Sequence, residues 1–149
     1  MSIEKIVDEI EKHVIDISLK LNHEFGSELE NKLSSNQQLM LFLVGRKDIK
    51  HVKDLAYFMN VSASAISQMA AKLEQMDLII REVDKNNRRN TVLTLGPEGK
   101  SLLNQMEENR SAITNKYLSQ LTETDLLNIR DVLNKLNHII GKTQKGETP

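Results

Sequence analysis

Within the eleven residues from Ser62 to Lys72, the side chains of Ser62, Ser64, Ser67, Gln68 and Lys72 are polar, and Arg88 and Arg89 follow in the run DKNNRRN between Asp84 and Asn90. These groups are suited to hydrogen bonding and charge pairing rather than to making covalent bonds. A glutamine carboxamide can bond an adenine edge bidentately, serine hydroxyls can reach bases or phosphates, and arginines are drawn to narrow, electronegative minor grooves. The positions 64, 67, 68, 71, 72 and 75 recur at helical spacing, so Ser64, Ser67, Gln68, Ala71, Lys72 and Gln75 form one small, polar face. That face, with a basic tip beyond it, fits the recognition of double-stranded DNA.

Other chemistry finds little to work with. The chain has no cysteine, which removes disulfides, thiolate metal sites, thiol nucleophiles and cysteine redox sensing, and is compatible with a cytoplasmic location. It contains no glycine-rich phosphate loop, HExxH or GxSxG, so no enzyme activity is expected. His13, His23, His51 and His138 are scattered; His13 and His23 could join glutamates of the first helix around a metal, but ordinary surface histidines are the simpler reading. No cofactor is expected. The first residues are acidic and amphipathic rather than signal-like, and no stretch has membrane-spanning length.

The net charge of −1 hides an uneven distribution. Residues 1–30 carry three basic and eight acidic groups, residues 31–95 ten and six, and residues 96–149 seven and seven. The candidate DNA-facing groups thus lie in the basic part of the chain.

Holding those groups requires a definite frame. Ile3, Val7, Ile10, Val14, Ile17 and Leu21 alternate at steps of four and three along a first helix. Capping signatures at Ser34 and Ser35 start a second helix, expected to present Leu39, Phe42 and Leu43 and to close at Gly45. A third helix is predicted over 52–59 and a fourth over 62–76, joined through Asn60, a residue that tolerates the left-handed conformation of a tight turn, and Val61. In the fourth, Ile66, Met69, Leu73 and Met76 face inward while Ser62 caps the start. The β-branched runs 79–83 and 91–95 predict a hairpin whose tip carries Arg88 and Arg89, with Asp84 placed to hold an arginine. Pro97 opens a further helix through Leu102, Met106, Ile113 and Tyr117, and Thr122 with Asp125 caps a last one bearing Leu126, Ile129, Leu133, Leu136 and Ile140. Residues 142–149 are expected to form a flexible tail. The predicted class is mainly α with a small β-hairpin wing, a winged helix-turn-helix. The terminal stripes are too long to bury within one protomer, so pairing with a second copy is expected.

In this arrangement the chain resembles the MarR family of bacterial transcriptional regulators over nearly its whole length. The resemblance is carried by Leu55-Ala56, by Val61-Ser62 through Leu73-Glu74, by Asp77-Leu78-Ile79, and by Asp84 to Arg89 followed by Leu93-Thr94 and Gly96-Pro97-Glu98-Gly99. The family often places an acidic residue directly before the arginine pair; here it is Asn87. The resemblance implies a triangular homodimer joined by its terminal helices, a near-palindromic operator, usually repression, and often release by a small phenolic ligand in a crevice. It implies one domain over 1–149, with 1–32 and 98–141 for dimerisation and 34–96 for DNA binding. The candidate effector contacts are Phe25, Phe42, Tyr57 and Tyr117, although widely spaced aromatics also serve as plain core. A winged-helix protein-interaction module without specific DNA binding is the competing reading.

Overall fold

A computed structural model describes residues 1–146 of the 149-residue chain. The described elements run α1 (Ile3–Phe25), α2 (Glu28–Lys32), α3 (Ser35–Arg46), α4 (Val52–Met59), α5 (Ala63–Gln75), β1 (Ile79–Val83), β2 (Thr91–Leu95), α6 (Pro97–Lys116), a 3-10 turn (Leu118–Gln120) and α7 (Glu123–Gln144). The chain divides into two compact units, residues 1–106 and residues from 107 onward.

In the first unit, short capped helices stack on a two-stranded antiparallel hairpin. Ser27, Ser34 and Ser62 each accept a backbone N–H with the side-chain oxygen, stopping orphan donors at the starts of α2, α3 and α5. Ile79 pairs with Leu95 and Val83 with Thr91, so the hairpin is in register along its whole length. The core combines Leu33, Met40, Leu41 and Val44 with Leu55, Ile66, Ala70 and Leu73, closed by Leu78, Ile79, Leu93 and Leu102.

Two expectations about α3 are corrected. Its buried residues are Met40, Leu41 and Val44, whereas Leu39 and Phe42 are exposed and Leu43 is half-buried. Gly45 does not end the helix, which continues to Arg46 with Lys47 as its C-cap. The glycine instead admits a neighbour: a Cβ there would lie 2.1 Å from Leu103 Cδ1. The helix α2 was not foreseen, although Ser27 and Glu30 form the same kind of capping box as Ser34 and Gln37.

Gly99 has a similar reason with a harder boundary. A Cβ there would stand 2.2 Å from the carbonyl oxygen of Leu78, which already accepts the Gly96 N–H at 2.9 Å and so cannot turn aside cheaply. Alanine normally gains about 0.8–1.0 kcal/mol over glycine in a helix. Here overpacking, on the order of 1–3 kcal/mol, opposes that gain. Gly99→Ala is therefore expected to lower the midpoint of urea unfolding rather than raise it.

In the second unit, Thr122 and Asp125 form the expected capping box, and α7 runs to Gln144. Residues 142–144, expected in the tail, are thus helical, while 147–149 lie outside the described residues. Neither α1 nor α7 has a buried residue in the single chain. Among the described residues no helix is long and apolar enough to cross a membrane.

Candidate nucleic-acid interface

Helix α4 ends at Asn60, which takes the left-handed conformation (φ 53°, ψ 47°) anticipated for it. The Asn60 N–H bonds to Tyr57 O and the Val61 N–H to Ala56 O, reversing the chain within two residues. Ser62 Oγ then accepts the Ala65 N–H at 3.0 Å and starts α5. Ile66, Ala70 and Leu73 bury one side of α5, with Met69 and Met76 half-buried beside them. Ser64, Ser67, Gln68, Lys72 and Gln75 are exposed, and Ala71 is half-buried.

The far end of α5 is locked to the hairpin. Glu74 Oε1 receives Arg81 Nε at 3.2 Å and Nη2 at 2.9 Å, while Glu74 Oε2 accepts the Arg81 backbone N–H. This two-pronged pairing holds the Glu74 carboxyl below the usual carboxylate range, first through the side-chain bond and then through the backbone one.

At the other end of β1, Asp84 is organised differently from expectation. It holds no arginine: Oδ2 lies 3.1 Å from His51 Nε2, and Oδ1 accepts the Asn86 N–H at 3.0 Å. The Asn86 bond, then the His51 bond, lower the Asp84 pKa. The Arg88 and Arg89 guanidinium groups make no ion pair among the described residues, and both residues are exposed. Sequence reasoning passed over His51 because its partner is 33 positions away and no local pattern announces the pair.

Between the hairpin, α4 and α5 lies a cleft of about 270 Å³ lined in part by His51, Lys53, Ser67, Arg89 and Thr91. It brings a face residue of α5 and a tip arginine to one concave surface. None of the candidate effector aromatics lines it. Phe25 is half-buried, Phe42 and Tyr117 are exposed, and Tyr57 is 80% exposed, packed edge-to-face on Phe58 with ring centroids 5.4 Å apart.

The depressed carboxyls give the acid response a sign. Asp125 joins Glu74 and Asp84, its pKa lowered by the Thr122 side chain and then the Thr122 backbone N–H. A carboxyl with a lower pKa folded than unfolded stabilises the fold above the unfolded value and loses that contribution as pH falls through the folded one. These contributions are thus complete at neutral pH and fade below about pH 4. Glu74→Gln is expected to be less stable than wild type at pH 7 and to differ much less at pH 3, as measured by urea unfolding at both pH values.

A helix, a tight left-handed turn, a second helix with an exposed polar face and a hairpin bearing paired arginines define a winged helix-turn-helix protein. Residues 33–91 match the family model described as MarR family. The chain is 29% identical over 136 residues to the HTH-type transcriptional repressor MdtR of Bacillus subtilis, covering 91% of this chain and 88% of that protein. The fold is shared with Streptococcus pneumoniae FabT in complex with DNA (TM-score 0.79, 14% identity, 95% and 99% of the two chains). It is shared also with the PcaV transcriptional regulator of Streptomyces coelicolor in complex with its natural ligand (TM-score 0.63, 15% identity, 93% and 96%). The chain thus resembles the MarR family, with the match to the family model lying in residues 33–91.

Proposed function

We propose that the protein is a sequence-specific double-stranded DNA-binding transcriptional regulator, working by binding rather than catalysis, in the cytoplasm. The observation that carries this reading is one unit presenting two exposed polar or basic elements: the Ser64, Ser67, Gln68 and Lys72 face of α5, and the Arg88–Arg89 tip. In this reading Ser62, Ser64, Ser67 and Gln68 approach bases or phosphates in the major groove. Lys72 adds charge there, and Arg88 and Arg89 reach the neighbouring minor groove or backbone. Asp84 supports the wing.

The active species is a homodimer on a near-palindromic operator, its two α5 helices about one helical turn apart. Residues 34–96 bind DNA; residues 1–32 and 98–141 supply the dimerisation surface. The apolar stripes exposed on α1 and α7 support this, because isolated helices of that kind need a partner. By kinship with the repressor MdtR the effect is repression, and release by a small-molecule effector follows the ligand-bound fold neighbour PcaV.

The test is fluorescence anisotropy with a duplex from upstream of the protein's own gene and a scrambled duplex, each at two salt concentrations. Tight, steeply salt-dependent binding that prefers the upstream duplex supports the reading. Weak binding to both, with little salt dependence, contradicts it and favours a protein-interaction module.

A further inference from the structure

Five described helices in this chain begin with a Ser or Thr whose side chain caps them: Ser2, Ser27, Ser34, Ser62 and Thr122. At the same position of α4 stands His51, which makes no capping bond. Its ring is engaged elsewhere, with Nε2 3.1 Å from Asp84 Oδ2 at the root of the hairpin tip. Asp84 is only 19% exposed and has a second task, because its other oxygen accepts the Asn86 N–H, while its own N–H bonds Asn90 O at 2.9 Å. One carboxylate thus joins α4 to the turn that carries Arg88 and Arg89.

Backbone contacts anchor the root of the hairpin beside this link. His51 forms an isolated antiparallel bridge with Val92, and the Leu93 N–H bonds Lys50 O at 2.7 Å. Those bonds fix β2; among the hydrogen bonds described, the His51 ring alone reaches from α4 to the Asp84 end of the tip. The charged groups around the ring are Asp54 at 3.9 Å from Nδ1, Asp84 itself, and Lys53 and Arg89 in the shared cleft, while Lys50 is paired with Asp48.

We propose that His51 is a positioning residue that, through Asp84, holds the Arg88–Arg89 turn in place beside the exposed face of α5. The step to DNA affinity rests on the DNA-binding reading above. A tip already held needs less ordering on binding, and a basic group displaced by even a fraction of an ångström loses geometry at the groove.

The test is His51→Ser in the full chain, which supplies the preferred helix cap while removing the ring. Expected are an unchanged or higher thermal midpoint, exchange of the Asn86 amide at least about fivefold faster with α4 and α5 amides no faster than in wild type, and duplex binding weaker by about tenfold. His51→Gln, which can still donate to Asp84, is expected to restore much of both. Asp84→Ala combined with His51→Ser is expected to be no worse than Asp84→Ala alone, since both remove one link. Wild-type exchange at Asn86 in His51→Ser, additive losses in the double variant, or loss of protection throughout α4 and α5 would each overturn the proposal. If the wild-type protein binds no duplex, the DNA reading fails, and the exchange measurement still decides whether His51 holds the tip.

Discussion

Replacing Arg88 and Arg89 together by alanine is expected to weaken duplex binding by at least tenfold and to flatten its salt dependence. Both residues are exposed, and neither guanidinium is tied up in an ion pair among the described residues, so their charge is available to a polyanion. Each phosphate neutralised contributes roughly 0.9 to the slope of log affinity against log salt. Two arginines per protomer in a dimer place four cations at stake, and each specific contact is worth on the order of 1–3 kcal/mol. The fold is expected to survive, because the tip backbone is held by Asp84, Asn87 and Asn90 rather than by the arginine side chains. Gln68→Ala serves as the contrast: it is expected to relax sequence preference while leaving the salt slope nearly unchanged. Anisotropy titrations over a salt series check both. An Arg88→Ala/Arg89→Ala variant with wild-type affinity and slope would remove the wing from the interface.

The second large effect is expected on α7. Leu126, Ile129, Leu133, Leu136 and Ile140 are each at least 38% exposed in the single chain. Burying one such side chain is worth about 1.5–3 kcal/mol, so five from each copy are ample to hold a dimer after the cost of association. Leu133→Glu with Leu136→Glu would bring four carboxylates into that surface, where burial without partners is strongly unfavourable. Glutamate is a good helix former, so α7 itself should persist and circular dichroism should change little. Sedimentation equilibrium at micromolar concentration is expected to give twice the 17.0 kDa chain mass for wild type and the single-chain mass for the variant. Operator affinity should fall with it, since two half-sites are no longer held by one molecule. A variant that remains dimeric would place the interface elsewhere.

How much of this was legible in the sequence depended on whether the signal was local. The bounds of α4, β1 and β2 follow directly from their patterns, and α5 is bracketed by a left-handed Asn60 and a capping Ser62 whose neighbours state their roles. The stripe from Ile3 to Leu21 likewise predicted one continuous helix with an unsatisfied face. The phase of α3 was not legible. Residues 39–44 are Leu, Met, Leu, Phe, Leu and Val, and a segment apolar on every side carries no periodicity. Tertiary packing chose Met40, Leu41 and Val44 for the interior. Gly45 looked like a helix stop because glycine often is one, yet its reason is Leu103, far along the chain.

The same division runs through the site. The α5 face could be listed from spacing alone, and the structure leaves those polar residues exposed. The carboxylate of Asp84 was expected to hold an arginine beside it in sequence, whereas its partner is His51, which comes from another element. The Glu74–Arg81 pair, seven residues apart across a helix-to-strand turn, is also set by geometry that periodicity does not encode.

The most direct test of the central claim is a hydrogen–deuterium exchange footprint of the full chain with and without a duplex from upstream of its own gene. Slower exchange confined mainly to residues 62–72 and 84–91 is the expected result, since these carry the α5 face and the wing. Binding that leaves both segments exchanging as in the free protein would contradict the account, and DNA recognition would have to be sought on another surface.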